Sequence, residues 1–102
     1  MTLFEWDEAK AESNLKKHGV SFEDAMLVFA APDAFTEQDR IEDGEVRWQT
    51  TGLMEGAVLV LVAHLVEDDA SHEAIRIISA RLADRKERKR YGENRQKNIG
   101  RG

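Results

Sequence analysis

Three arginines near the C-terminal end of the chain are the side chains best suited to bind phosphate. Arg81 ends a predicted strand, and Arg85 and Arg88 follow three residues apart on one face of a predicted helix. A guanidinium group is planar and carries a permanent charge, so it can bind two phosphate oxygens at once. The spacing predicts a phosphate clamp at the strand-to-helix junction. The alternative interpretation is a run of solvated charges.

His18 is the side chain best suited to proton transfer, because histidine ordinarily titrates near neutral pH. The alternative role for His18 is that of a cation that stabilises the C-terminal end of a helix. Lys17, beside it, either carries phosphate charge or is an ordinary solvated lysine. Arg47 is expected to join the same concave face as the arginine cluster.

Three further residues each have a chemical and a structural interpretation. Arg76 lies in an otherwise apolar strand, where a charge loses hydration unless a group pairs with it, so it binds either phosphate or a carboxylate. Glu87 is either a base or an ion-pair partner of Arg88 or Lys86. Tyr91 either stacks on an aromatic base or anchors its helix by packing.

Hydrophobic periodicity predicts the elements that position these residues, in the order β-α-α-β-β-β-β-α. Asp7 and Gly19 are expected to cap the first helix, and Ser21 the second. Strands joined by short turns imply a mainly antiparallel sheet, and segregated helices place the fold in the α+β class. The predicted strands cover residues 3–6, 34–38, 46–54, 57–65 and 73–81, and the predicted helices cover residues 8–18, 22–29 and 84–96.

The charge is distributed unevenly along the 102 residues. Residues 81–102 contain nine Lys and Arg against three Asp and Glu, whereas residues 1–80 contain six against seventeen. An acidic body with a basic C-terminal segment indicates contact with nucleic acid or with an acidic partner. The acidity of the body argues against an indiscriminate polyanion binder. The length predicts one domain, over residues 1–96, with a flexible tail at 97–102.

Several functional classes are excluded by composition. The chain has no cysteine, which rules out disulfides, thiol catalysis and zinc–cysteine sites. Its three histidines are scattered without metal-binding spacing, so neither a metal nor another cofactor is expected. The longest apolar run, residues 57–63, is far shorter than a membrane span, and no signal peptide is recognisable, so a cytoplasmic protein without membrane contact is expected.

Two separated groups of residues carry a resemblance to a known family. The first group is Phe4-Glu5-Trp6-Asp7, Lys10, Asn14, Lys17-His18-Gly19-Val20 and Phe22; the second is Ile77-Ile78-Ser79-Ala80-Arg81 followed by Ala83, Arg85, Lys86, Glu87 and Arg88, and Glu45 and Arg47 match between them. In this order they resemble the BrnT toxins, over roughly residues 4–95. Asp84, where a small polar residue is usual, and Gly92, where a bulky one is commoner, depart from the pattern.

The resemblance implies a RelE-like fold, cleavage of RNA, and growth arrest when the toxin is free. It also implies a BrnA-like antitoxin with a ribbon-helix-helix region. The chain would bind operator DNA only through this antitoxin. On this interpretation the chain is a metal-independent endoribonuclease. Its expected catalytic residues are His18, Arg76, Arg81, Arg85 and Glu87, and its expected RNA-binding residues are Lys17, Arg47, Arg88 and Tyr91.

Two other functional hypotheses stay open at this point. The chain is alternatively a catalytically inactive partner-binding or co-repressor module of the same type of operon, or a plain nucleic-acid-binding domain. The apolar strand at 57–65 also bears on assembly, because two N-terminal helices and one polar helix offer little cover for a sheet. We therefore expect the antitoxin or a second copy, as a homodimer, to cover part of the sheet.

Overall fold

A computed structural model describes residues 2–68 and 71–100, with side chains described as far as residue 97. The predicted order of elements is confirmed. The elements are β1 (Thr2–Glu5), α1 (Glu8–His18), α2 (Phe22–Val28), β2 (Phe35–Glu42), β3 (Glu45–Met54), β4 (Val58–Asp68), β5 (Glu73–Leu82) and α3 (Arg85–Gly100). No helix within these residues is long and apolar enough to cross a membrane.

The five strands form one sheet in the spatial order β1-β5-β4-β3-β2. Only β1 and β5 run parallel, while the other three neighbouring pairs are antiparallel, which confirms the predicted α+β class. The register between β4 and β5 shifts after the pair Ala63 and Ser79, so that His64 lies opposite Ile77. This bulge at Ile78 resets which side chains of β5 face each side of the sheet.

The predicted caps of the first two helices are confirmed. The Asp7 side chain accepts a hydrogen bond from the backbone of Lys10, and Ser21 accepts one from the backbone of Asp24. Gly19 ends α1 with a φ of +73°, in the left-handed region that glycine enters without steric cost. Because α1 ends sharply at this residue, the chain turns directly into α2.

The hydrophobic core lies between the sheet and α2. Phe22, Ala25 and Val28 on one side of α2 are fully buried. Strand β3 approaches this helix closely at Gly52, where a Cβ atom would lie 3.0 Å from a methyl group of Val28. The strand residues of this core are Val60, Val62, Ile75, Ile77 and Ala80.

Helix α1 is attached to β5 by a buried polar contact. The amide group of Asn14 donates to the backbone oxygen of Ala80 at 2.8 Å and accepts from its backbone nitrogen at 3.1 Å. It also donates to the backbone oxygen of Val20. A side-chain amide thus bonds to a strand backbone, and this fixes α1 against the last strand.

Helix α3 lies on the opposite face of the sheet from α1 and α2. It begins near its predicted start but is described as far as Gly100, so it includes part of the segment that was expected to be a flexible tail. Residues 101 and 102 lie outside the described residues. Two strands are also longer than predicted, since β2 continues to Glu42 and β4 to Asp68.

Candidate functional site

The arginines of the strands lie on the sheet face that points away from α1 and α2, which we call the outer face. Side chains alternate along a strand, and Thr50 and His64 bond to each other on the core side. Arg47 and Gln49 occupy the alternate positions of β3 and therefore point to the outer face. On β5, Arg76 and Arg81 point the same way, since Ile75, Ile77 and Ala80 lie in the core.

Arg81 forms a two-pronged ion pair with Glu87 at the start of α3. Its Nη1 and Nη2 atoms donate to the two carboxylate oxygens of Glu87, each at 2.8 Å. The side chain of Arg81 is 37% exposed, whereas Glu87 as a residue is only 8% exposed. The sequence interpretation of Glu87 as a partner of Arg88 or Lys86 is wrong, because the bend between β5 and α3 brings Arg81 to it instead.

The same carboxylate of Glu87 also caps α3. It accepts a hydrogen bond from the backbone nitrogen of Asp84, and the Asp84 side chain accepts one from the backbone nitrogen of Glu87, both at 2.8 Å. This is a reciprocal capping box, with Asp in place of the usual Ser or Thr. The Arg81 guanidinium, more than any other group, lowers the pKa of the Glu87 carboxyl, and that carboxyl raises the pKa of Arg81.

The basic side chains of α3 divide into two groups. Arg90 pairs with Glu37 at 2.9 Å and Arg95 with Asp33 at 3.5 Å, which ties the middle of the helix to the sheet and to the loop before β2. By contrast, four basic residues in the first turns are exposed and form no ion pair with any residue that the structure describes. These four are Arg85, Lys86, Arg88 and Lys89.

Tyr91 lies with its ring stacked on Phe35, with a centroid separation of 6.2 Å and an interplanar angle of 28°. Tyr91 is buried, and burial is the main cause that raises the pKa of its hydroxyl group. In this structure the ring serves as the apolar anchor of α3. The predicted role in stacking on a base is untested, and it would need the ring to leave Phe35.

Arg76 and Arg47 each lie beside a carboxylate at the open part of the outer face. Arg76 is 3.6 Å from Glu5 of the neighbouring strand, and both side chains are well exposed. Arg47 is 3.2 Å from Glu42, although the geometry at its buried Nε atom is not that of a hydrogen bond. The pair of Arg76 with Glu5 is long and exposed, and exposed pairs of this kind contribute little to stability.

His18 and Lys17 end α1, on the other side of the sheet from α3. They lie about one helical turn after Asn14. Because Asn14 is bonded to Ala80, the C-terminal end of α1 lies close to the C-terminal end of β5. His18 is half-buried and Lys17 is exposed. In the described part of the chain, no hydrogen bond or ion pair joins either residue to the arginines of β5 and α3.

Sequence reasoning missed a polar chain on the core side of the sheet, which runs from the exposed Thr36 to the buried Thr50 and His64. Thr36 bonds to Thr50 at 2.7 Å, and Thr50 bonds to Nε2 of His64 at 2.8 Å. His64 is 2% exposed, and its Nδ1 lies near the backbone of Leu65 without forming a hydrogen bond of good geometry. Burial lowers the pKa of His64 to about 4, an effect that the Leu65 backbone partly offsets. Only pairing of the strands reveals this chain.

A cavity on the core side is separate from the arginine cluster. It has a volume of about 550 Å³ and is lined mainly by apolar side chains, among them Phe4, Phe29 and Trp48. It contains no arginine or lysine, so it does not suit a phosphate backbone. The described residues also contain no group of three or more His, Asp or Glu arranged to hold a metal ion.

The arrangement at the start of α3 suits a polyanion that lies across the C-terminal end of β5. Arg81 presents an oriented guanidinium at the end of β5, and Arg85 and Arg88 add exposed charge within the next two turns. Arginine at such a site neutralises phosphate and can follow a nucleic-acid backbone. Asp84 could have been recognised from the sequence as a cap, since Asp84-Arg85-Lys86-Glu87 fits the capping-box spacing.

Comparisons with known proteins agree with this fold and with the two sequence motifs. The family profile described as the ribonuclease toxin BrnT of type II toxin–antitoxin systems matches residues 6–87. A 1.1 Å crystal structure of the ribonuclease toxin BrnT from Brucella abortus superimposes with a TM-score of 0.62 and 27% identity, covering 83% of this chain and 99% of that one. No curated protein sequence matches at a significant level. The chain belongs to the BrnT family of ribonuclease toxins of type II toxin–antitoxin systems.

Proposed function

We propose that this chain is an endoribonuclease that cleaves RNA without a metal ion and arrests growth until a ribbon-helix-helix antitoxin of the BrnA kind binds it. The observation that carries the site assignment is that Arg85 and Arg88, beside the oriented guanidinium of Arg81, are exposed and form no ion pair with any described residue. By contrast, residues 1–80 contain six Lys and Arg against seventeen Asp and Glu. The start of α3 is therefore the part of the protein best suited to approach an RNA backbone.

Cleavage of RNA without a metal needs two proton transfers and one charge to be stabilised. The 2′-hydroxyl group loses a proton as it attacks the adjacent phosphorus, the departing 5′-oxygen gains one, and the intermediate carries additional negative charge. Arginines can stabilise that charge, and general acid–base groups contribute about 10²- to 10⁴-fold each. In the proposal Arg81 and Arg85 supply the charge stabilisation, and Arg88, Lys17 and Arg47 hold the flanking phosphates.

His18 is the proposed proton-transfer group, since it is the half-buried histidine nearest in the fold to the end of β5. Arg76, at the other end of β5, is a further proposed contact for the RNA backbone, because its pair with Glu5 is long and exposed. A path from α1 to α3 passes around the end of β5, so an RNA strand that bends over this edge could contact both groups.

The first test is cleavage of total RNA by the purified chain in the presence of EDTA. We expect specific fragments that appear without added metal and disappear when the co-expressed antitoxin is present. Fragments that appear only after Mg²⁺ is added would remove metal independence from the proposal. A folded chain that cleaves nothing, and whose induction does not slow growth, would support the inactive partner-binding module instead.

The second test compares two double variants: one lacks two arginines of the proposed site, and the other lacks two arginines elsewhere in the chain. Arg85→Ala with Arg88→Ala is expected to weaken RNA binding about tenfold or more. The dependence of RNA affinity on salt concentration should also become less steep, because fewer counterions are released. The matched control, Arg40→Ala with Arg95→Ala, has the same net charge but removes arginines outside the proposed site. Equal loss in both variants would mean that total charge, and not this site, controls binding.

A further inference from the structure

We infer that Glu87 is a positioning residue, which holds the guanidinium of Arg81 so that its Nε and outer Nη2 protons bind one phosphate of the substrate. This inference rests on the proposed function, and it replaces the role of base that the sequence allowed for Glu87.

The hydrogen-bond donors of Arg81 can be assigned one by one. A guanidinium has five N–H donors in a fixed plane. The two on Nη1 point to Glu87 Oε1 at 2.8 Å and to the backbone oxygen of Leu82 at 3.2 Å. One on Nη2 points to Glu87 Oε2 at 2.8 Å. Within the described residues, the Nε proton and the second Nη2 proton have no acceptor.

These two remaining protons lie on the same edge of the guanidinium plane. Nη2 is the terminal nitrogen on the side of the Nε proton, so the pair forms the side-on fork that matches two oxygens of a phosphate. Glu87 occupies the end-on fork and leaves the side-on fork free. The partial exposure of the Arg81 side chain is consistent with an edge that a ligand can reach.

Glu87 itself is poorly placed to accept a proton from the substrate. It is almost fully buried, both of its oxygens are engaged with Arg81, and one also accepts the Asp84 backbone proton. The charged partner stabilises the ionised carboxylate and lowers its pKa, which weakens it as a base. A carboxylate in these contacts can hold a guanidinium in place, but it cannot take up a proton without giving up the pair.

The capping box links the orientation of Arg81 to the start of α3. Because the carboxylate that holds Arg81 also accepts the Asp84 backbone proton, the guanidinium and the first turn of the helix are fixed relative to each other. Arg85 and Arg88 belong to that first part of the helix. The three arginines therefore meet successive phosphates as a preorganised set, which avoids ordering them separately when RNA binds.

The test measures the Arg81 side chain directly, without relying on activity. In a ¹⁵N-labelled protein, the Arg81 Nε–H resonance is assigned with Arg81→Lys and followed while inorganic phosphate is added. We expect this resonance to shift with saturation in the wild type. In Glu87→Gln, where the charge-assisted fork is lost, we expect phosphate affinity to fall by roughly tenfold, because the guanidinium is no longer held in one orientation.

Asp84→Ala is the matched control, since it removes the helix-capping oxygen but leaves the carboxylate that holds Arg81. We expect it to bind phosphate through Arg81 much as the wild type does, with some loss of stability. An Arg81 resonance that ignores phosphate, or one that responds equally in wild type and Glu87→Gln, would overturn the inference. If Glu87→Gln fails to fold, Glu87→Asp tests the same point with the charge retained and the reach shortened.

Activity measurements separate this inference from the proposed function. If Glu87 only positions Arg81, Glu87→Gln lowers activity while the pH dependence keeps its shape; loss of the acidic limb would instead identify Glu87 as the base. A chain that cleaves no RNA but still binds phosphate through Arg81 in a Glu87-dependent way would overturn the proposed function alone. Cleavage with no phosphate response at Arg81 would overturn the inference alone.

Discussion

The two sides of the sheet are covered in different ways. On the core side, α2 packs with apolar residues such as Phe22 and Val28 that exclude water completely. On the outer face, the described part of α3 is held by the stacked rings of Tyr91 and Phe35 and by three ion pairs. These join Glu87 to Arg81, Arg90 to Glu37, and Arg95 to Asp33. Apolar burial is not weakened by the screening of charges, whereas partly exposed ion pairs weaken as salt rises. The core side thus supplies the stable body, and the outer face carries a helix whose docking responds to ions.

The largest expected effect comes from removing the central side chain of the core. Phe22→Ala should lower the free energy of unfolding by about 3–5 kcal/mol, because Phe22 is completely buried and leaves a cavity. Urea denaturation followed by circular dichroism measures the loss. Leu27→Ala on the exposed side of the same helix is the control, and it should change stability by less than about 0.5 kcal/mol. Similar losses in both variants would contradict the assigned core.

Acidification should also act first on the core side, through His64. Its pKa is lowered to about 4 in the folded chain, so between about pH 6.5 and pH 4 the unfolded chain binds a proton that the folded chain does not. Stability is therefore fully present above about pH 6.5 and falls by about 3 kcal/mol as the pH drops to 4.

Denaturation of wild type and His64→Gln across this pH range measures the effect. The difference between the two proteins isolates His64 from the other titrating groups. The variant should show a flatter dependence of stability on pH, even if it is less stable at neutral pH because of altered packing. Identical pH profiles would mean that His64 is accessible to protons in the folded chain.

On the outer face, the stacked ring pair should matter more than any single ion pair. Tyr91→Ala removes a buried ring and its contact with Phe35, and should cost roughly 2 kcal/mol. Amide hydrogen exchange should then accelerate in α3 but not in α2. Tyr91→Phe is the control, because it keeps the ring and α3 should dock nearly as well. Protection of α3 that survives Tyr91→Ala would contradict the role of Tyr91 as the anchor of this helix.

The smallest expected effect is a gain in stability at Gly92. A Cβ atom there would meet nothing within 4 Å, and the position lies inside α3. Gly92→Ala should therefore stabilise the helix by about 1 kcal/mol through its higher helix propensity. Thermal unfolding measures the gain. A loss of stability would show that α3 needs flexibility at this point to dock on the sheet.

Features set by neighbouring residues were predictable from the sequence. The caps at Asp7, Gly19 and Ser21 were predicted correctly, because each depends on backbone geometry within four residues. The order of elements followed from hydrophobic periods. The ends of β2 and α3 were predicted less accurately. Pairing with β3 extends β2, and α3 has one buried aromatic side chain, Tyr91, which gives little apolar periodicity to mark its ends.

The candidate site was predictable in composition but not in its contacts. The basic segment at 81–90 was evident, and Arg76 does lie near a carboxylate, although its pair with Glu5 is exposed and 3.6 Å long. The partner of Glu87 was not, because an ion pair across six residues depends on the bend between β5 and α3. Nor did any local pattern show that α1, with His18, packs on the opposite side of the sheet from α3.

The sequence alone determined the caps, the alternation of polar and apolar residues, the separation of acidic and basic regions, and the motifs of the family. These depend on local geometry and composition, which a chain carries before it folds. Only the tertiary structure decided which charges neutralise each other and which stay free for a ligand. Such pairing joins residues such as Asn14 with Ala80, or Arg90 with Glu37, whose distance in space is set by the packing of the whole sheet.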